Sequence, residues 1–132
     1  MTLREALLAL LPGAYEGEAP ATASPPWKVV TLDVPTPSSR ALAGCVLTHR
    51  VRVRVTVAAA NAHACTLLAD QVRAIEGARI APAGWVCSPV RHVNSRPVVA
   101  RNPQVTFPAT NTAAFYAVLE FELTASERPV TP

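Results

Sequence analysis

The sequence predicts an α+β fold: an antiparallel or mixed sheet of about four strands, one of them long, with two helices packed on one face in the order α-β-β-α-β-β. Three observations carry this. Residues 49–57, HRVRVRVTV, alternate valine with arginine or threonine without a break. Residues 115–123, FYAVLEFEL, alternate in the same way, and residues 60–76 place apolar side chains at helical spacing. Period two follows the pleat of a strand, and a period near 3.6 follows one side of a helix. Apolar strand faces and apolar helix stripes must bury one another, which gives two packed layers.

The elements follow in chain order. Thr2-Leu3-Arg4-Glu5 has the form of a capping box, and Leu3, Leu7, Leu10 and Leu11 then share one helical side. Pro12-Gly13 closes that helix, so residues 1–12 form the first element. Residues 13–26 are rich in Pro, Ala and Gly and read as a loop. WKVVTLDV, residues 27–34, reads as a strand covered on both faces, and Pro35, Pro37, Ser38 and Ser39 break the chain after it. Counted from Val46, the arginine-bearing strand runs about 12 residues and reaches on the order of 40 Å, about twice the usual length. A strand that overhangs its own domain needs cover, and a second copy of the chain is the expected source.

Asn61 is placed to cap the second helix, whose stripe is Ala64, Cys65, Leu68, Val72 and Ile75, with Gly77 beyond its end. Residues 80–93 form a weaker strand region, interrupted by Pro82, Gly84 and Pro89. Residues 94–113 read as a long irregular loop with Pro97, Pro103 and Pro108, although Gln104 to Phe107 has β character. The final strand ends near residue 124, and residues 125–132 read as a flexible tail. All of residues 1–132 are expected to form one domain, with residues 27–124 as its sheet-and-helix core.

Composition narrows the function classes. The net charge is +3, and every basic residue except Lys28 is arginine. The only basic cluster is Arg50, Arg52 and Arg54, sparser than a nucleic-acid-binding domain usually shows. No apolar run approaches the ~20 residues of a membrane span, and the first residues lack the pattern of a secretory signal. A soluble chain made in the cytoplasm is expected. Cys45, Cys65 and Cys87 show no C-x-x-C spacing and read as small buried hydrophobes, and His49, His63 and His92 show no ligand spacing. Neither a metal nor a cofactor is expected. Nucleophile elbows, phosphate-binding glycine loops and zinc-protease motifs are absent, which argues against an enzyme.

The arginines of the long strand leave three readings open. Glu120 and Glu122 lie on the matching face of the last strand, so neighbouring strands would form cross-strand Arg–Glu pairs. The same arginines could meet a second subunit, or DNA phosphates. Trp27 and Trp85 each begin an apolar run after a break and read as core anchors.

The order of elements then resembles a known family. A short leading helix is followed by a Pro-rich loop and by Pro26-Trp27-Lys28-Val29-Val30. PTPSSR, residues 35–40, leads into HRVRVRVTV, and an Ala-rich helix ends in Ile75-Glu76-Gly77-Ala78-Arg79 before the alternating strand from Phe115 to Leu123. Over residues 2–124 this order and texture resemble the tail terminator (tail completion) proteins of long-tailed bacteriophages with non-contractile tails. The resemblance implies a structural protein rather than an enzyme. It implies a homohexameric ring seated on the last ring of tail-tube protein, where it halts tube polymerisation and offers a docking surface to head-completion or neck proteins. DNA would pass through the lumen, and the protein would assemble in the host cytoplasm and reside at the tail–neck junction of the virion. No catalytic residue, cofactor or membrane contact is implied.

On that reading the candidate interface or sheet-pairing residues are Arg50, Arg52, Arg54, Glu120 and Glu122. The candidate assembly loops carry Tyr15, Trp27, Arg96, Arg101 and Phe107. Two competing readings are another neck protein, of the head-closure or connector kind, and an unrelated ferredoxin-like α+β binding module or small enzyme with a concave pocket. Reversing Arg52 and Arg54 to Glu separates the roles of the arginine row. Size-exclusion chromatography of a folded monomer that no longer forms rings would place the row at a subunit contact, whereas an unfolded chain would place its partners within the subunit.

Overall fold

The computed structural model describes residues 2–17, 26–33, 36–40, 46–82, 84–107 and 112–127. Helix α1 spans Leu3–Ala9 and α2 spans Ala62–Arg73. The strands are β1 (Tyr15–Glu16), β2 (Trp27–Leu32), β3 (Thr36–Arg40), β4 (Val46–Ala59), β5 (Trp85–Cys87), β6 (Arg91–Phe107) and β7 (Thr112–Glu127). All seven belong to one sheet. Apart from the two-residue β1, they form a curled half-barrel of six strands accompanied by two helices, a mixed α/β architecture.

This overturns the expected α+β fold of about four strands in the order α-β-β-α-β-β. The physical reason is proline. PTPSSR and residues 94–113 read as breaks because proline cannot donate to a strand ladder. Residues 36–40 and 94–107 nonetheless belong to strands, each on an outer rank of the sheet, where proline is tolerated. In β6 the register against β7 shifts between Arg96 and Val99 and again between Asn102 and Thr106, and these two gaps contain Pro97 and Pro103. In β3 the register shifts between Pro37 and Ser39. The expected loop is therefore one limb of a long hairpin, the expected flexible tail begins as strand through Glu127, and the loop over 13–26 contains β1. Residues 128–132 of that tail and residues 18–25 of that loop lie outside the described residues.

The centre of the sheet is the antiparallel pairing of β4 with β7, continuous from His49↔Ala125 to Ala59↔Phe115. Two strands lie end to end along the other side of β4: β2 against Val53 to Ala58, and β3 against Val46 to Arg50. Likewise β5 and β6 share the far side of β7. The long strand is thus covered by its own chain on both sides, and a second copy is not needed for that purpose. The strand that does overhang is in the β6–β7 hairpin. It continues beyond the last β4 pair through Asn102↔Ala114, Thr106↔Ala113 and Phe107↔Thr112.

The inward residues of β4 and β7 fill the core. Val51, Val53, Val55 and Val57 face Leu119, Phe121 and Leu123, all buried. Ala6, Leu7 and Leu11 near α1, and Cys65, Ala69 and Val72 of α2, belong to the same cluster. Each helix starts as its sequence dictates. The Thr2 hydroxyl accepts from the Glu5 N–H at 3.1 Å, and the Asn61 side chain accepts from the Ala64 N–H at 2.8 Å. The turn after α2 closes at Gly77, whose φ of +84° suits glycine and whose N–H donates to the Val90 carbonyl at 2.7 Å.

Two substitutions test this account of the core. Phe121→Ala removes a fully buried ring at the midpoint of β7 and is expected to cost about 3–5 kcal/mol, whereas Asn61→Ala removes only a cap and is expected to cost about 1 kcal/mol. Urea denaturation measures both, and equal losses would refute the placement of Phe121.

Candidate functional site

The outward residues of β4 and β7 form a charged face. Antiparallel register sets Arg52 opposite Glu122 and Arg54 opposite Glu120. Arg54 Nε lies 3.4 Å from Glu120, and Arg52 Nε lies 3.5 Å from Glu122. Arg50 stands opposite Thr124 and leans diagonally to Glu122 at 3.7 Å. On the far side of β7, Arg91 of β6 pairs in register with the same residue and reaches it at 3.4 Å. Glu122 therefore serves three guanidinium groups, and its side chain is only 13% exposed while theirs stay at least half in water. Exposed pairs at such distances contribute little, but a shielded carboxylate shared by several cations contributes more.

Of the three readings open for the arginine row, the geometry supplies the cross-strand pairs. The shared parity of Arg52, Arg54, Glu120 and Glu122 made these legible in the sequence. Arg91 falls in the weaker strand region expected over residues 80–93, but nothing in the sequence places that region beside β7 and Arg91 opposite Glu122.

At the other end of the same face the surface turns apolar. Ala58 is buried beneath Trp27 and Tyr116, its register partners on either side. The base of the overhanging hairpin lies here, since Val99 of β6 pairs with Tyr116. Of the residues expected in assembly loops, Arg96, Arg101 and Phe107 all lie on β6 of that hairpin, Trp27 opens β2, and Tyr15 is exposed on β1. Only Tyr15 stands away from the hairpin, parallel to Val29 on the outer edge of β2.

Two open clefts lie at the opposite end of the sheet. One, of about 440 Å³, runs beneath α1 and is lined by Leu3, Leu7, Leu32, Val51 and Trp85, with Arg4, Glu16 and Asp33 at its rim. Arg4 makes a two-point ion pair with Glu16, including a 2.8 Å bond from Nε, and this tethers α1 to β1. The hydrogen bond and charge of Glu16 raise the Arg4 pKa further above its ordinary value. The Lys28 ammonium donates to the Pro12 carbonyl at 3.1 Å and fixes the other end of the helix to β2.

The second cleft, of about 540 Å³, lies where the chain detours between β5 and β6, and Glu76, Ser88, Arg91, Glu122 and Thr124 contribute to its wall. The detour is stitched to β7 by the Ser88 N–H donating to the Thr124 carbonyl and the Thr124 N–H donating to the Ser88 hydroxyl, both at 2.9 Å.

The histidines and cysteines do not converge. His49 lies edge-on to Trp85, and His92 tilts over Phe121. Each has one buried ring nitrogen without a hydrogen-bond partner, Nδ1 in His49 and Nε2 in His92. His63 is exposed on α2. Among the described residues no group of three His, Cys, Asp or Glu side chains can hold a metal ion. Cys65 and Cys87 are free thiols, and burial raises the pKa of both and disfavours the reactive thiolate. Cys45 lies outside the described residues. No helix among the described residues is long and apolar enough to cross a membrane.

The shared role of Glu122 separates it from Glu120. Glu122→Gln is expected to cost about 1–2 kcal/mol in urea denaturation, and Glu120→Gln less than about 1 kcal/mol. Equal effects would show that the three-guanidinium cluster adds nothing to a single pair. The chain matches no protein-family model, and no curated protein matches it.

Proposed function

We propose that this chain is a tail terminator: a structural subunit that forms a homohexameric ring on the tail tube, stops its polymerisation and presents the surface onto which the head or neck docks. The resemblance over residues 2–124 supports the reading, and one structural observation carries it. That observation is the β6–β7 hairpin, which runs past the end of β4 as a two-stranded ribbon. Among the described residues no third strand pairs with this ribbon, and a two-stranded ribbon alone is at best marginally stable in water. It gains order by packing on another surface, which a ring of identical subunits supplies.

The edges of the sheet agree with this. The outer rank of β6 is broken by register shifts at its prolines, and β3 is short with a shift of its own. Interrupted edges of this kind resist open-ended strand addition. They suit a closed assembly held by faces and arms. The charge pattern agrees as well. The arginines of the outer face are neutralised in part by Glu120 and Glu122, and balanced charge suits a ring through which DNA slides without being gripped.

Electron microscopy of phage particles grown without this gene product tests the proposal. Overlong tails without heads are the expected result. Tails of normal length beside detached, DNA-filled heads would instead indicate a head-closure or connector role, and intact virions would remove the phage-structural reading altogether.

A further inference from the structure

We propose that the β6–β7 arm of one copy seats in the cleft beneath α1 of the next copy, head to tail. The inference deepens the terminator reading and rests on its ring-forming part. It starts from position. The β4–β7 ladder runs from His49↔Ala125 at one end to Ala59↔Phe115 at the other. The arm leaves beyond Phe115, whereas the cleft is lined by Val51 and Leu32, which lie toward the Ala125 end. Ladder geometry separates the two by roughly 25–30 Å, so an arm cannot fill the cleft of its own chain. Two different patches at opposite ends of one subunit make a heterologous contact when copies join, and such contacts build a ring where the rotation from copy to copy closes.

Chemistry matches position. The cleft is apolar within, and its volume of about 440 Å³ accommodates side chains of the size found at a hairpin end. The arm sequence supplies Val105 and Phe107 at the end of β6. Charge is complementary as well. Beyond the last β4 pair, residues 100–114 carry Arg101 and no acidic residue. The cleft rim carries two carboxylates and one guanidinium, and Arg4 is already bound to Glu16. Among the described residues Asp33 makes no ion pair, and its exposed carboxylate is placed to receive a cation from the arm. A membrane or a nucleic acid does not fit an apolar cleft with an acidic rim, and a second copy brings both matching features.

The test is a charge exchange in the full chain, read by sedimentation velocity of the free protein and of the protein incubated with tail tubes. Arg101→Asp and Asp33→Arg, each alone, are expected to weaken self-association about tenfold, because each replaces an attraction with a like-charge contact. The double variant is expected to restore it to within about threefold, since the pair is re-formed with its signs exchanged. Unchanged thermal melts confirm that every variant folds. Wild-type association that the single variants leave unaltered, a double variant no better than either single one, or a wild-type chain that stays monomeric even on tubes would each overturn the contact. The terminator role fails separately. Normal tails in the gene deletion together with charge-exchange rescue would leave the arm contact standing, and overlong tails without rescue would remove the contact and keep the role.

Discussion

The pairing of β4 with β7 is the constraint on which the rest of the structure depends. It is long, unbroken and antiparallel, and it sorts every side chain along it to one of two faces. Valines on β4 meet leucines and Phe121 on β7 over the helices, while arginines meet glutamates on the outside. A slip of one residue would drive Arg50, Arg52 and Arg54 into the core and expose Val51, Val53 and Val55. The burial of the apolar face therefore fixes the register, and the ion pairs follow as a consequence. They are too exposed to impose that register by themselves.

Once this ladder is fixed, each of its free sides takes two strands in succession. β2 and β3 share one side and β5 and β6 the other, and β6, though long, pairs with β7 only through repeated register shifts, so a small chain covers a long central pair without a long uninterrupted partner. The breaks between successive strands create the clefts. The gap between Cys87 and Arg91 opens the cleft beside Thr124, and the end of β2 at Leu32 opens the one beneath α1. The concave features of the molecule thus arise from the same economy that covers the central strands.

The sequence revealed the parts whose signal is local. Alternation marked β4 and β7, the Asn61 cap and apolar stripe marked α2, and Thr2 marked the start of α1. It concealed β3 and β6, because proline argues against a strand unless its position on an outer rank is known, and rank is a tertiary property. The strand count, and with it the fold class, failed for that reason. The site was legible in the same proportion. Arg52–Glu122 and Arg54–Glu120 could be read from parity alone. The placement of Arg91 opposite Glu122, and of Arg96, Arg101 and Phe107 together on β6, depended on pairings that periodicity did not show. The unusual length of β4 reports that the strand needs neighbours without saying whose they are, and its own chain supplies them.

The enclosure of β4 by its own chain also constrains how copies could join. Had β4 been bare, copies would join through backbone hydrogen bonds along an edge, and such joining has no natural stopping point. With β4 enclosed and the outer ranks interrupted at Pro37, Pro97 and Pro103, backbone addition is disfavoured throughout the described edges. Contacts between copies must then be made by side chains and by the overhanging hairpin. Contacts of that kind carry a fixed rotation from one copy to the next, and a fixed rotation is what determines whether an assembly closes. On the terminator reading proposed above, a chain that limits the growth of another polymer must not polymerise without limit itself, and the proline-broken outer strands, which obscure the fold in the sequence, would meet that requirement.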